Sequence, residues 1–540
     1  MPSADPIVPT STGSVRGVWR DGSAAFLGIP FAAPPIGDLR FAAPVAPEPW
    51  SGVRDATAHA PTPQRRPFAP VTTIPEPSIP GDETLTVDVF TPRPSRPSGV
   101  PGPHHDGASG PVDCGLPVLV WIHGGGFTAG SPASPWYDGA AFNRDGVVTV
   151  TVSFRLGVDG FGLIPGAPAN RAVLDWVAAL EWVQENIQEF GGDPTQVTIA
   201  GQSAGGGAVL TLIATPRARG LFHRAIAVSP ALQGIDRADA ERLVVRMADA
   251  GGIPATRAGF ASLTEDELLD LQESVCQVPE RSSVADPGAR AVRQLADARA
   301  AGRDLGPVVD GELVPLPVLE ALRTGTASTV PLLIGTTANE FTSILEPRAT
   351  DVDRLGAERA LRGLGLTGSL ARAYAHRFPG RSASWVVGQL VTEVVFRIPA
   401  VRTAKVHARR APGRTWLYDF RWVPPVDGGA RGAFHCADLP FAWDHLDAEG
   451  VGRVLGDEPP AALAAEIHGA WVAFVHGESP GWAPYRAPGR VTRVFDTESR
   501  TVEDGYRSER RMGRLLSPLG RFAPRERHAA AARRRIALAR

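Results

Sequence analysis

Lysine is almost missing from this chain: Lys405 stands alone, and arginine supplies the rest of the 55 basic residues. Set against 57 acidic residues, they leave a formal charge of −2. That balance excludes the broad positive surface of a nucleic-acid binder. Cysteine is scarce as well. Cys114, Cys276 and Cys436 are too few and too scattered for a disulfide framework or a thiolate metal site. No apolar run approaches the roughly 18 residues that would span a membrane. The opening residues Met1-Pro2-Ser3-Ala4-Asp5-Pro6 lack a basic stretch followed by an apolar one, so no secretory signal is expected there. Together these absences point to a cytoplasmic protein. The 59 glycines and 51 prolines, like the preference for arginine, read as genomic composition bias rather than function.

What is present is an alternation of strand-like and helix-like segments through the first half of the chain. Residues 116–122, 147–154, 197–200 and 225–228 are apolar runs with the length of buried strands. Val173, Val177, Leu180, Val183 and Ile187 recur at near-helical spacing, and Gly191-Gly192 stops that helix. Strand, helix, strand in this order predicts an α/β fold with a mostly parallel sheet and helices on both faces. Residues 330–334 and 415–420 read as later strands of the same sheet. Residues 92–115, with Pro101-Gly102-Pro103-His104-His105, read as an exposed insertion, and no further ligands cluster around the two histidines. Segments 236–300 and 346–400 read as mainly helical cap segments that carry none of the chemistry. The stretch 507–540 holds eleven arginines against Glu509 and Glu526, and residues 516–540 are expected to form a solvated basic tail.

The chemistry concentrates where Gly201-Gln202-Ser203-Ala204-Gly205 follows the run Val197-Thr198-Ile199-Ala200 and precedes a helix-like 204–215. A strand–turn–helix with small residues on both sides of a serine is a nucleophile elbow, which lifts the Ser203 hydroxyl above the sheet edge. A serine hydroxyl needs a base, an orienting acid and an oxyanion hole. The glycine run His123-Gly124-Gly125-Gly126-Phe127 follows the 116–122 strand and can turn backbone N–H groups toward one point. Gly125 and Gly126 are the expected donors, joined by the N–H of Ala204. A phosphate loop would end in Gly-Lys-Ser/Thr, and that ending is absent. For the base, His435 in Gly432-Ala433-Phe434-His435-Cys436-Ala437-Asp438 competes with His445, His376 and His407. For the acid, Glu340 at the end of Leu332-Leu333-Ile334-Gly335-Thr336-Thr337-Ala338-Asn339-Glu340 competes with Asp310 in an Asp-Gly turn. The order Ser203, Glu340, His435 is that of the α/β-hydrolases.

Several longer motifs stand in order along the chain: Gly28-Ile29-Pro30-Phe31-Ala32-Ala33-Pro34-Pro35-Ile36-Gly37-Asp38-Leu39-Arg40-Phe41, Phe190-Gly191-Gly192-Asp193-Pro194, Gly201-Gln202-Ser203-Ala204-Gly205-Gly206, Phe222-His223-Arg224-Ala225-Ile226, and the stretch 432–441. Over about residues 10–515 the chain resembles the type B carboxylesterases, the branch that includes bacterial p-nitrobenzyl esterases and the cholinesterases. The resemblance implies a single α/β-hydrolase domain, a nucleophile at Ser203, an acid at Glu340, a base at His435, and oxyanion donors at Gly125, Gly126 and Ala204. It implies neither metal nor organic cofactor, and a small-molecule ester as substrate. Three departures stand out. Thr84 occupies a half-cystine position in Asp82-Glu83-Thr84-Leu85, consistent with a reducing compartment, and Arg40 is expected to pair with Asp82. Gln202 replaces the commoner Glu before the nucleophile, which should weaken attraction for cationic substrates. The acid turn reads Asn339-Glu340-Phe341 rather than Asp-Glu-Gly.

The same acyl-enzyme machinery would serve a carbamate, an amide, a lactone or a biosynthetic acyl transfer, and the triad does not separate these. A non-catalytic binding protein on this fold would be expected to have lost Ser203, Glu340 or His435. All three are present.

Overall fold

A computed structural model describes residues 5–516, apart from positions 21, 64–65, 68–71, 95–114, 233, 278–282 and 303. His104-His105, Cys114 and the basic tail from residue 517 onward lie outside the described residues. Among those described, the main sheet runs through β1 (Val18–Arg20), β2 (Ser23–Pro30), β3 (Thr86–Thr91), β4 (Leu116–Ile122), β5 (Val148–Val152), β6 (Gly192–Gln202), β7 (Arg224–Val228), β8 (Leu332–Thr337), β9 (Thr415–Phe420), β10 (Val491–Phe495) and β11 (Arg500–Glu503). Across the sheet the order is β11-β10-β9-β8-β7-β6-β4-β5-β3-β2-β1. Every pairing from β5 through β10 is parallel, and the strands at both margins are antiparallel.

Side-chain alternation explains how one sheet carries two cores. In β4, Val118, Val120 and Ile122 enter one apolar cluster, while Leu119 and Trp121 enter the cluster on the opposite face. β8 does the same, with Leu332 and Ile334 on one side and Leu333 on the other. The first face is covered by α1 (Arg171–Asn186) and α2 (Ala204–Ala214). Val173, Val177, Leu180, Val183 and Ile187 form the buried stripe that the spacing predicts, and Gly191 ends the segment at φ 81°. Helix Ala461–Val475 covers the second face through Ile467, Trp471 and Phe474.

The two helical segments read as caps differ in how they pack. Helices Arg237–Gly251 and Glu265–Cys276 join the first core through Leu243, Met247, Leu268 and Leu271. Residues 291–292 instead share a third cluster with 345–398 and with Met512 and Leu516 of the C-terminal helix. The helix Ala383–Arg410 is apolar enough to reach membrane-spanning hydropathy, and most of its apolar window is buried inside the protein. Arg40 does not pair with Asp82. Its Nε lies 3.5 Å from Asp159, and its guanidinium also bonds the Leu263 carbonyl. Glu83, the neighbour of Asp82, pairs with Arg54 instead.

The topology fixes where a site can form. β4 lies between β5 and β6, so the chain reverses its direction of travel across the sheet between β4 and β6. Crevices at such switch points, beyond the carboxyl ends of the strands, are where open α/β sheets bind ligands. Ile122 pairs with Gly201 and Gln202 with Val228, which brings the 123–127 loop beside Ser203.

Candidate active site

Ser203 connects β6 to α2 with φ 58° and ψ −118°, a conformation that costs a non-glycine residue free energy and that surrounding structure must hold. Three backbone bonds hold it. Its N–H donates to Val228 at 2.9 Å, and its carbonyl accepts from Gly207 at 2.9 Å and Ala231 at 3.0 Å. A Cβ on Gly205 would overlap the Ile122 carbonyl, so only glycine lets α2 start this close to β4. The glycines after the elbow therefore serve packing, Gly206 against Val228 and Gly207 against Ala231.

The glycine loop folds back on itself beside the elbow. Gly125 (φ 111°), Gly126 (φ 64°) and Phe127 (φ 65°) all take positive φ, and the Gly125 carbonyl accepts from Thr128 and Ala129. Among the described residues, neither Gly125 N–H nor Gly126 N–H donates to a protein acceptor. Buried His123 bonds the Gly124 carbonyl through Nδ1 at 2.7 Å and stacks on Phe154, and burial lowers its pKa to about 4. It is therefore neutral across the physiological range and fixes the loop without adding charge. Ala204 opens an eleven-residue buried helix, whose N-terminal dipole favours negative charge at the same place.

Glu340 and His435 arrive on two loops laced together. Asn339 N–H donates to Ala433 O at 2.9 Å, Ala433 N–H to Asn339 Oδ1 at 3.1 Å, and His435 N–H to Glu340 O at 3.1 Å. Glu340 Oε1 accepts from Thr337 N–H at 2.9 Å, which turns Oε2 to His435 Nδ1 at 2.6 Å. Glu340 is buried, and His435 is ringed by Phe341 at 5.1 Å and Phe396 at 4.8 Å. Burial opposes a charge on this imidazole, but the net direction is upward. Burial keeps the Cys436 thiol protonated, so the opposing influence is the Glu340 carboxylate.

The structure thus brings Glu340 and His435 into contact and sets Ser203, Gly125, Gly126 and Ala204 at the neighbouring strand ends. It does not join Ser203 to His435 by a hydrogen bond. Gln202 Nε2 lies 3.0 Å from His435 Nε2 and 3.1 Å from Cys436 Sγ instead. The rival residues are accounted for elsewhere. His407 bonds Thr415, His376 bonds the Arg372 carbonyl on the surface, and His445 contacts the Pro135 carbonyl. Asp310 caps its own turn and accepts from Asn170.

Some neighbours of the site were not anticipated. Phe396 lies in the segment expected to carry no chemistry, and nothing local in its sequence marks it. Asp438 stands three residues beyond His435 in the 432–441 stretch, where a carboxylate so close to the histidine is the signal the sequence offers. It is buried, accepts from Tyr418 at 3.2 Å through Oδ2, and has no partner for Oδ1 among the described residues. Burial, reinforced by the charge of Glu340, pushes its pKa up to about 7.

A family model described as the carboxylesterase family matches residues 4–484. The para-nitrobenzyl esterase of Bacillus subtilis is 32% identical over 94% of this chain and 97% of its own length. A phenmedipham hydrolase from Pseudarthrobacter oxydans is also 32% identical, over 92% of this chain and 96% of its own. Among solved structures, a carboxylesterase from Geobacillus stearothermophilus superposes with a TM-score of 0.76 at 32% identity, covering 94% of this chain and 99% of that one.

Proposed function

We propose, from the premise that this chain belongs to the carboxylesterase family and is a carboxylic ester hydrolase, that it works through an acyl-enzyme on Ser203 with His435 as base and Glu340 as acid. The observation that carries the assignment is the 2.6 Å Glu340–His435 contact beside a serine held at φ 58°. In its neutral form, with Nδ1–H donated to Glu340, His435 presents an unprotonated Nε2. Ser203 Oγ attacks the ester carbonyl while its proton passes to Nε2, and the new imidazolium is stabilised by Glu340. The tetrahedral oxyanion takes the N–H groups of Gly125, Gly126 and Ala204. Collapse of the intermediate breaks the ester C–O bond, and His435 returns the proton to the departing alcohol. Water then repeats the sequence on the acyl-enzyme and releases the acid.

Gln202 gives the resting site a particular arrangement. Its Nε2–H donates to the same His435 lone pair that must receive the serine proton, so substrate binding exchanges one donor for the other. Being neutral, Gln202 adds no attraction for a cationic alcohol group, which favours neutral esters. A single α/β-hydrolase domain with its 346–400 segment walling the pocket fits this reading. So does a cytoplasmic setting.

The test is hydrolysis of p-nitrophenyl esters from acetate to decanoate by the wild type and by Ser203→Ala. The variant should lose on the order of 10⁴–10⁶ in kcat. A loss below about tenfold would remove Ser203 from the nucleophile's role. Turnover of a matched carbamate faster than any ester in the series would move the substrate class away from esters.

A further inference from the structure

The turn that carries Glu340 is held, peptide by peptide, by one helix. α3 (Ala383–Thr392) continues through a π turn at Glu393–Arg397 into α4 (Ile398–Arg410). Gln389 Nε2 donates to Ala338 O at 3.0 Å, and its Oε1 accepts from Asn339 Nδ2 at 2.9 Å. Thr392 Oγ1 accepts from Phe341 N–H at 2.9 Å. Arg397 Nη1 donates to Thr337 O at 3.0 Å, and the N–H of that same Thr337 is the donor that orients Glu340. The wider π turn aims two consecutive residues at the site, Phe396 at the imidazole and Arg397 at the strand end beneath the acid.

Arg397 is itself fixed from outside the turn. It is buried, with Nη1 and Nη2 on Asp419 of β9 at 2.7 and 3.2 Å and Nε on Glu509 at 2.7 Å. Arg421 shares Oδ2 of Asp419 with Arg397, and the Tyr506 ring lies 4.5 Å from the Arg397 guanidinium. Nearby Glu393 is already paired with Arg377 at 2.9 Å. Glu509 belongs to α5 (Arg507–Leu516), the last described helix of the chain. The cluster of Arg397, Arg421, Asp419 and Glu509 is balanced in charge, so removing one member leaves a buried charge uncompensated.

We propose that Arg397 is a positioning residue for Glu340, and that Glu509 ties the C-terminal helix α5 into the same device. The proposal deepens the assignment of Glu340 as the acid and rests on it. Arg397 touches no substrate; it sets the carbonyl side of Thr337, Thr337 sets Oε1, and Oε2 is thereby aimed at Nδ1. The charged and titratable groups facing His435 are Glu340, Asp438 and Cys436, and each keeps its own side chain in the Arg397 and Glu509 variants.

The experiment compares Arg397→Met, Arg397→Lys and Glu509→Gln with wild type, each normalised to reactive serine by titration with an organophosphonate. kcat, KM and the pH dependence of kcat/KM are read with p-nitrophenyl acetate. Arg397→Met should lower kcat per titrated site by about 10- to 100-fold, the scale on which misplacement of a catalytic group acts, with KM nearly unchanged. A loosened Glu340 stabilises the imidazolium less, so the acid limb of the profile should move to lower pH. Lys should restore part of the loss, and Glu509→Gln should move both readouts in the same direction but less far. Unchanged kcat per site and an unmoved limb in Arg397→Met would overturn the proposal, however much folded protein is lost. If Arg397→Met does not fold, Glu509→Gln, which keeps the cation, decides by the same two readouts. Glu340→Gln is the control. Its failure to lower activity would undo the acid assignment, whereas its success beside inert Arg397 and Glu509 variants would undo this proposal alone.

Discussion

Replacing Asp438 by Asn should make the protein more resistant to unfolding at alkaline pH, by an amount set by the burial of that carboxyl. In the folded protein its pKa is about 7 against an ordinary value of 3.8. Below about pH 4 the group is protonated whether the chain is folded or not, and it favours neither state. Between there and pH 7 the unfolded chain releases a proton that the folded chain keeps, so stability falls as pH rises. Above pH 7 both states are ionised, and the fold has lost about three pKa units of free energy, or roughly 4 kcal/mol. Asn retains an acceptor for Tyr418 and carries no proton to release. Urea unfolding of both proteins at pH 5 and pH 8 therefore gives a clean comparison. Of the roughly 4 kcal/mol, about 3 accrues between those two values. The difference in unfolding free energy between variant and wild type should shift by that amount in the variant's favour on going from pH 5 to pH 8. A difference that stays constant within about 0.5 kcal/mol would refute the reasoning, since a carboxyl that ionises normally in the fold gives no such shift.

Two further outcomes concern the site and a third the fold. Gln202→Glu places a carboxylate beside His435 Nε2, so the acid limb of kcat/KM should move to higher pH by about one unit or more, and esters of cationic alcohols should gain relative to neutral isosteres. A pH–rate profile on matched charged and neutral esters reads both effects. Glu340→Gln should lower kcat by on the order of 10³–10⁴ if the acid orients the histidine, while Asp310→Asn, which only opens a turn, should leave kcat within about threefold. Arg171→Met should cost about 3–5 kcal/mol in urea unfolding, because the buried guanidinium satisfies the carbonyls of Val158, Asp159, Gly162 and Pro168, while activity per titrated serine stays near wild type.

The parts of the site that were legible in the sequence are those where local backbone geometry dictates residue type. The elbow needs glycine at 205 because α2 starts against the Ile122 carbonyl, and the 123–127 loop needs residues that tolerate positive φ at 125 and 126. Both demands leave a mark within five residues. Leu116–Ile122 is legible as a strand because it is a short apolar run that ends at a glycine loop, and Thr415–Phe420 because it is rich in β-branched and aromatic residues. Residue types alone left Glu340 and His435 open against their rivals; the family resemblance selected them, and the loop lacing seen in the structure accounts for their pairing.

The residues that escaped notice act across long sequence separations. Arg397 reaches Thr337, Asp419 and Glu509 from a helix whose sequence reads as ordinary buried apolar chain, and Phe396 meets His435 from the same turn. Neither contact has a periodicity or spacing that marks it. The expected Arg40–Asp82 pair failed for the converse reason. A charge pairing inferred from motif positions ignores the competing partners that folding supplies, here Asp159 and the Leu263 carbonyl.

The central claim is that ester hydrolysis passes through an acyl group on Ser203. The most direct measurement is a rapid-mixing burst with p-nitrophenyl acetate, followed by acid quench and mass spectrometry of the peptide containing residues 201–205. The account predicts a burst approaching one p-nitrophenol per titrated site, an acetyl group on Ser203, and loss of both in Ser203→Ala. A burst that survives in Ser203→Ala, or acetyl found on another residue, would contradict it.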